Sequence, residues 1–138
     1  MGASRHQETF RIRCLETDEH GRATLPSLLD LFQEAAWNHA RSFGLSVPEL
    51  LRDGITWVLF RLHVEVDRYP GWGEEVTVRT WPSAIRGLRF LRDFDIRDPS
   101  GAPIARGTTA YMVLDLATRR PTRPTGERFG FPVTEERA

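Results

Sequence analysis

A charged loop that runs directly into a long apolar segment carries the residues best suited to catalysis. Residues 16–22 read ETDEHGR and place Asp18 beside Glu19 and His20, and a further carboxylate, Glu34, follows within the apolar segment. A carboxylate can act as a nucleophile or a general base, and a neighbouring imidazole can orient it or carry a proton. We therefore take Asp18, His20 and Glu34 as the candidate catalytic residues.

The start of the apolar segment supplies a second chemical feature, the free N–H groups of a helix N-terminus. Pro26 falls in the first turn of the predicted helix, so the unpaired amides lie between Arg22 and Ser27. Such amides, together with the positive end of the helix dipole, stabilise negative charge that develops on a carbonyl oxygen. Arg22, Thr24 and Leu25 are accordingly candidate substrate-binding residues.

Each polar candidate also has a structural interpretation, which the sequence leaves open. Asp18 in a glycine-containing loop is equally typical of a turn whose carboxylate accepts hydrogen bonds from its own backbone. Glu34, if the helix buries it, needs a partner and could serve only in an ion pair. Asn38 and His39, in the last turns of the helix, can contact substrate or can satisfy backbone groups and the helix dipole.

The composition is that of an ordinary globular protein. The chain has 138 residues, of which 40% are hydrophobic, and a formal net charge of zero at pH 7, so nothing indicates a nucleic-acid partner. The single cysteine excludes an internal disulfide, and the four histidines lack metal-ligand spacing. We expect no metal and no organic cofactor. Without a signal peptide or a membrane-spanning run, we expect no membrane insertion and a cytoplasmic location.

Hydrophobic patterns predict one strand, one long helix and four further strands. Residues 8–15 alternate, with Phe10, Ile12 and Cys14 on the apolar face of a strand. A wide apolar stripe predicts a helix over residues 25–43 that is covered on more than one side. Turn signals separate four more strands, within residues 55–67, 75–81, 87–98 and 103–116. The first half of the earliest of these four is expected to be buried on both faces.

This order predicts an α+β protein of the hotdog type, in which an antiparallel sheet of five or more strands wraps around one central helix. No linker or repeat divides the chain, so we expect residues 1–138 to form one domain with its core over about 8–118. Residues 119–138 are expected to wrap the surface or to remain partly flexible. Because long sheet edges favour pairing with a second copy, we expect a homodimer or homotetramer.

Four segments resemble the acyl-ACP thioesterases of plants and bacteria. They read LFQEAAWNHARSFGL (31–45), ITWVLFRLHVEVDRYPGWGEEVTVRTW (55–81), RDFDIRD (92–98) and VLDLATRRPTRP (113–124). Members of that family carry two hotdog domains in one chain and cleave the thioester that joins a fatty acid to acyl carrier protein. The resembling segments belong to the first of the two domains, which mainly shapes the acyl pocket.

The resemblance transfers only part of the family's catalytic set. That set begins with an Asp-x-Asn-x-His motif in the second domain. On the equivalent loop of this chain Asp18 matches the Asp, whereas His20 and Arg22 stand in place of Asn and His. Residues 17–21 also resemble the T-D-x-x-G loop of 4-hydroxybenzoyl-CoA thioesterases. In another hotdog subfamily a helix glutamate is the catalytic base, and the FQEAA match implies that role for Glu34.

With this resemblance, the expected function is hydrolysis of an acyl-ACP or acyl-CoA thioester by a carboxylate nucleophile or a carboxylate-activated water. The acyl chain would run between helix and sheet, and an entrance lined by arginines would meet the acidic carrier or the CoA phosphates. The residues expected to bind substrate are Arg22, Thr24, Leu25, Asn38, Trp57, Leu59 and Arg86. Two alternatives remain, a non-catalytic acyl-thioester-binding protein and a dehydratase or hydratase that pairs His20 with Glu34.

Overall fold

A computed structural model describes residues 4–124, 129, 133–134 and 136–138 of the chain. Its elements, in chain order, are β1 (His6–Arg11), a single 3-10 turn (Cys14–Glu16), α1 (Leu25–Arg41), α2 (Val47–Arg52), β2 (Ile55–Val66), β3 (Glu75–Arg86), β4 (Arg89–Arg97), β5 (Pro103–Asp115) and β6 (Arg120–Thr122).

The strands form one antiparallel sheet that curls around α1. The strand order is β1-β3-β4-β5-β2, and the short β6 pairs with the end of β5. Two tight hairpins join β3, β4 and β5, whereas both helices lie in the connection between β1 and β2. α1 packs on β1 and β3, inside the curl of the sheet. The predicted α+β hotdog fold is confirmed.

The start of α1 follows directly from its sequence. Thr24 is the N-cap residue, and its Oγ1 accepts a hydrogen bond from the Ser27 N–H at 3.3 Å. Pro26 lies in the first turn, where a missing N–H leaves no hydrogen bond unmade. The helix ends at Arg41 rather than at the predicted residue 43, and Gly44 then takes a left-handed φ of 73°.

Only one face of α1 belongs to the core. The buried side chains of the helix are Leu28, Leu31, Phe32, Ala35, Ala36 and His39. On the opposite face Gln33 and Glu34 are exposed, and Trp37 is 39% exposed. Within the described residues, the prediction of a helix covered on more than one side is therefore wrong, because one face of α1 packs on the core while the opposite face stays accessible to solvent.

An aromatic pair between α1 and β4 organises the core. Phe32 and Phe94 stack with their ring centroids 4.1 Å apart, and each is 1% exposed. Phe94 lies opposite Gly107 of β5, where an added Cβ would be 2.6 Å from the Phe94 ring and from the carbonyl oxygen of His63. Glycine at this position therefore allows the Phe94 ring to lie flat over β5 and to reach the helix.

The described part of the C-terminal segment packs against the sheet. Phe129 is 8% exposed. The Thr134 N–H donates to the Pro82 carbonyl at 2.9 Å, and Trp81 Nε1 donates to the Glu136 carbonyl at 2.7 Å. The predicted surface wrap also includes residues 125–128, 130–132 and 135, which lie outside the described residues.

Two further predictions of burial are wrong. Cys14, predicted in the core, is exposed because the chain leaves the strand after Arg11 and enters the 3-10 turn. The first half of β2, predicted to be buried on both faces, lies at the sheet edge, where Val58, Leu59 and Phe60 are 38%, 41% and 39% exposed. The pairing of β2 with β5 also shifts by one residue at Phe60, which forms a β-bulge.

The turn between β2 and β3 braces the charged loop that precedes α1. In this turn Arg68 Nη1 and Nη2 donate to the two carboxylate oxygens of Glu74 at 3.0 and 2.7 Å, and these bonds lower the pKa of Glu74. The backbone of the same turn binds the loop, because the Ala23 N–H donates to the Pro70 carbonyl at 2.8 Å. The loop is thus held against the sheet.

Candidate active site

A cavity of about 550 Å³, which we call the helix cavity, lies between α1, α2 and the sheet. The exposed face of α1 forms one side of it, and β2, β4 and β5 form the other. Most of the lining is apolar and includes Trp37, Ala40, Leu45, Trp57, Leu59 and Phe90. A pocket of this size and lining suits an extended apolar group.

Trp57 is the centre of the aromatic wall of the helix cavity. Its ring centroid lies 5.0 Å from that of Phe90, 5.6 Å from that of Phe129 and 6.1 Å from that of Tyr111. Its Nε1–H donates to the Leu45 carbonyl at 3.3 Å, which fixes the indole in place. The wall is therefore a set of rings in mutual contact, and the predicted substrate-binding residues Trp57 and Leu59 both line this cavity.

A cation lies at the inner, sheet-side wall of the helix cavity. Arg92 is 4% exposed, and its Nη1 donates to His39 Nδ1 at 3.0 Å and to Thr80 Oγ1 at 3.2 Å. Because a guanidinium only donates, His39 accepts through Nδ1 and a neutral His39 carries its proton on Nε2. Burial lowers the pKa of Arg92 to about 10, which leaves it charged at neutral pH.

Tyr111 adds a hydroxyl to the same inner region. Burial raises the pKa of the Tyr111 phenol, while polar contacts with Thr109, Arg92 and Gln33 oppose that rise. The phenol is therefore protonated at neutral pH and can donate a hydrogen bond. Gln33 reaches it from α1, so helix and sheet meet here through polar groups.

The helix carboxylate Glu34 stands at the open side of this cavity. Glu34 and Asp30 line the cavity from the exposed face of α1, where water reaches both. Asn38, predicted to bind substrate, instead donates its Nδ2–H to Glu8 Oε1 at 2.7 Å and so ties α1 to β1. Of the helix candidates, only Glu34 therefore faces the apolar space.

A second cavity, which we call the loop cavity, lies before α1 and has a volume of about 460 Å³. Its lining gathers the other predicted site residues, Asp18, His20, Arg22, Thr24 and Leu25, together with Ala23 and Tyr69. These residues lie together at the approach to the N-terminus of α1.

Within the loop cavity, Asp18 is held by its own turn. Its Oδ1 accepts hydrogen bonds from the backbone N–H of His20 at 2.8 Å and of Arg22 at 3.2 Å. The bonds from Arg22 and His20 lower the pKa of Asp18. The carboxylate is thus ionised at neutral pH and is a weak base. Its hydrogen bonds from the backbone that follows it are typical of a turn residue.

The other loop candidates face water or the backbone. The His20 imidazole is 78% exposed, and its Nε2 lies 3.5 Å from Glu19 Oε1. Arg22 Nη1 donates to the Tyr69 carbonyl at 3.2 Å. Thr24 Oγ1 accepts a hydrogen bond from the Ser27 N–H, so the N-cap already uses one of the N–H groups that were predicted to stabilise an oxyanion.

The structure separates the candidate catalytic residues into two groups. Asp18 and His20 line the loop cavity, whereas Glu34 lines the helix cavity. The His20–Glu34 pair proposed for a dehydratase or hydratase is therefore not assembled within one of these cavities. Arg86, predicted to bind substrate, is exposed at the β3–β4 hairpin and lines neither.

Sequence reasoning missed Arg92 and Tyr111, which define the polar part of the helix cavity. The sequence does carry a signal for Arg92. It lies two residues from both Phe90 and Phe94 in β4 and therefore shares the apolar face of the strand with them. A charged residue at such a position is costly unless it is paired or functional.

Neither a metal-binding cluster nor a membrane-spanning helix occurs in the described ranges. No three His, Cys, Asp or Glu side chains there are placed to hold a metal ion. No helix among the same residues is long and apolar enough to cross a membrane.

Comparison with known proteins identifies the family. The chloroplastic palmitoyl-acyl carrier protein thioesterase of Gossypium hirsutum is 35% identical over 120 residues, which cover 82% of this chain and 29% of that protein. The crystal structure of an acyl-ACP thioesterase from Bacteroides thetaiotaomicron superposes with a TM-score of 0.82 at 29% identity, covering 86% of this chain and 49% of the other. A DHNA-CoA thioesterase from Staphylococcus aureus shares the fold, with a TM-score of 0.79 at 22% identity over 87% of this chain and 80% of its own.

The chain thus spans about half of the solved acyl-ACP thioesterase and less than a third of the curated relative. The model of the acyl-ACP thioesterase N-terminal domain matches residues 3–129. The chain belongs to the acyl-ACP thioesterase family, in which it corresponds to the N-terminal domain.

Proposed function

We propose that this protein hydrolyses an acyl-ACP or acyl-CoA thioester while the helix cavity holds the acyl chain. The observation that carries the proposal is the helix cavity itself, about 550 Å³ of mostly apolar space opening beside an exposed carboxylate. Membership of a thioesterase family supports the reaction class. Burial of an alkyl chain there gains about 0.8 kcal/mol per methylene, which is enough to bind a fatty acyl group.

In this proposal Glu34 is the general base. It takes a proton from water, and the resulting hydroxide attacks the thioester carbonyl. The tetrahedral intermediate then breaks its C–S bond, and the departing thiolate takes the proton back from Glu34, so that the products are the free acid and the thiol. The position of Glu34 at the open side of the helix cavity favours it over Asp18, whose Oδ1 is already bound within a turn. Glu34 lies about 13 Å along the axis from the first residue of α1, so amides at that N-terminus cannot polarise the same carbonyl.

A second copy of the chain completes the site in this proposal. In the described ranges no strand pairs with the outer edge of β2, and apolar side chains are exposed at Val58, Leu59, Phe60 and the neighbouring Trp37. Acyl-ACP thioesterases supply a second hotdog domain in the same chain. We expect a homodimer, or a dimer of dimers, in which the phosphopantetheine arm crosses the interface.

The carrier would approach over the β3–β4 hairpin and the turn after β5. Arg86 and Arg89 are exposed at the hairpin, and Arg119 and Arg120 are exposed at the turn. Exposed guanidinium groups attract an acidic carrier protein or the phosphates of CoA. The exposed free thiol of Cys14 fits a reducing compartment, and we place the reaction in the cytoplasm.

A second candidate function is acyl-thioester binding without hydrolysis. The observation in its favour is that Asp18 and His20 line a different cavity from Glu34, so these three candidates do not form an acid–base pair beside the helix cavity. In that case the helix cavity would hold the acyl group for another protein.

Thiol release from a panel of acyl-CoA and acyl-ACP thioesters tests the two functions. We expect turnover by the purified protein, and a loss of about 10²- to 10⁴-fold in kcat for Glu34→Gln, the contribution typical of a general base. Asp18→Asn retains an oxygen acceptor for its turn and should keep most of the activity. Saturable binding without thiol release would establish the non-catalytic function, and full activity in Glu34→Gln would show that the base is another residue.

A further inference from the structure

Arg92 differs from the other buried or half-buried arginines of the described chain because no carboxylate pairs with it. Arg79 pairs with Asp95, and Arg68 pairs with Glu74 and Asp98. Arg92, which is more deeply buried than either, forms side-chain hydrogen bonds within the described residues only to His39 Nδ1 and Thr80 Oγ1, and neither is a carboxylate. A buried guanidinium without a counter-ion is costly, and its persistence needs a reason.

Arg92 lines the helix cavity and keeps donors that no hydrogen bond within the described residues uses. Both of its hydrogen bonds use Nη1, so Nε and Nη2 have no acceptor in the described part of the chain. No fully buried side-chain nitrogen or oxygen among those residues lacks a partner, so these two nitrogens must be reached from open space, and Arg92 lines the helix cavity. The carbon of the guanidinium lies 6.0 Å from the centroid of the Phe90 ring, which helps to hold it there.

Neighbouring groups extend this polar region. Tyr111 also lines the helix cavity, and its phenol interacts with both Arg92 and Gln33. The remaining inner surface, from Phe90 and Trp57, is aromatic. The region therefore offers several hydrogen-bond donors within the mostly apolar helix cavity, a combination that selects for a specific ligand oxygen.

An unsubstituted alkyl chain fits this region poorly. If its end filled the space beside Arg92, it would displace water from Nε and Nη2 and supply no acceptor. An oxygen on the chain would restore those bonds, and the side-by-side pair of donors matches the two oxygens of a carboxylate.

We propose that the preferred substrate is an acyl thioester whose chain carries a hydrogen-bond-accepting oxygen, a carboxylate, keto or hydroxyl group, which the Arg92 guanidinium binds inside the helix cavity. This inference rests on the proposed thioesterase function and names its substrate class. Arg92 acts as a specificity-determining residue, and Tyr111 donates a second hydrogen bond to the same oxygen.

The test compares matched chains in turnover and in binding. Octanoyl-CoA, 8-hydroxyoctanoyl-CoA, 8-oxooctanoyl-CoA and the 8-carboxy analogue are assayed for thiol release, and the corresponding free acids are titrated by the fluorescence of the cavity residues Trp37 and Trp57. We expect at least one oxygenated chain to exceed the plain chain about tenfold in kcat/KM and in affinity, the factor that one charge-assisted hydrogen bond contributes. The arm with the largest gain identifies the oxygen.

Variants assign the preference to Arg92. Arg92→Met should abolish it and Arg92→Lys should weaken it, whereas Arg52→Gln, which changes an exposed arginine of α2, should leave it intact. If the Arg92 variants fail to fold, the wild-type panel still decides the question. Equal turnover and equal affinity for plain and oxygenated chains would overturn this inference and leave the thioesterase function standing. Absence of thiol release with preferential binding of oxygenated acids would overturn the hydrolysis and support the inference.

Discussion

Adding three carbon atoms to the helix side of the helix cavity should shorten the acyl chain that the protein accepts. Ala36 is 6% exposed, lines the cavity and lies one turn before Ala40, another lining residue. Ala36→Leu would occupy space otherwise filled by about three chain carbons. At about 0.8 kcal/mol per methylene the loss is about 2.4 kcal/mol, or roughly 50-fold in affinity, for chains long enough to reach this position. Shorter chains should bind as before.

The assay is a fluorescence titration with free fatty acids of increasing length, which uses Trp37 and Trp57 as reporters and does not depend on turnover. Ala102→Leu, at an exposed turn, controls for the added side chain, and thermal unfolding shows whether Ala36→Leu remains folded. If Ala36→Leu is unstable, Ala40→Leu tests the same wall. An unchanged length profile, or an equal loss at every length in a folded variant, would refute the placement of the acyl chain.

Three further predictions concern stability and assembly. Gly107→Ala should destabilise the fold by about 1–3 kcal/mol in thermal or urea unfolding, since its Cβ would overlap a backbone oxygen and a buried ring; Gly71→Ala, whose Cβ would meet only ordinary contacts, should stay within about 0.5 kcal/mol. The pKa of Glu74 is lowered, so its ion pair with Arg68 stabilises the fold above about pH 4.3, and this stabilisation is lost as the pH falls through the lowered pKa. Glu74→Gln should therefore flatten the dependence of the free energy of unfolding on pH in the acid range, and an unchanged slope would contradict this expectation. Phe60→Glu should shift sedimentation to the monomer, whereas Leu88→Glu, at the exposed β3–β4 hairpin, should not; an unaltered dimer in both would exclude the β2 edge as the interface.

The fold was predictable because its strongest signals are local. The apolar stripe, the cap at Thr24, Pro26 and Gly44 mark α1 within two residues at either end. The four strands that follow are separated by short turns, which permit little other than an antiparallel sheet. One helix and one such sheet can bury their apolar faces only against each other.

Burial was harder to predict, because it depends on which face the sheet covers. The pattern of α1 reads as apolar on a wide arc, yet Trp37 and the start of β2 meet no other part of the described chain that would cover them. The sequence pattern predicts their apolar side chains in the core of a single chain. In the structure they lie at an open edge, which is a surface that sequence periodicity cannot tell from a core.

The candidate site was predictable only in part. The residues predicted in the loop before α1 line one cavity, and Trp57 and Leu59 line the other, but their roles stay predictions. The separation into two cavities depends on the long-range packing of α1 against β1 and β3 and of α2 against β2, which no local pattern encodes. Arg92 was visible as an interruption of the apolar face of β4, but its role follows only from the absence of an acid among its neighbours in the described residues.

The bulge at Phe60 has a consequence for how far association can proceed. Edge pairing between strands has no inherent end when each new strand offers another straight edge. The bulge shifts the register of the backbone hydrogen-bonding groups of β2 by one residue, so an incoming straight strand can align with the segment before the bulge or the segment after it but not with both. Beyond the bulge, Arg61, His63 and Glu65 are exposed and charged or polar, whereas the side before it is apolar. In the proposed dimer the edge would therefore accept one partner in one alignment and would resist growth into a fibre.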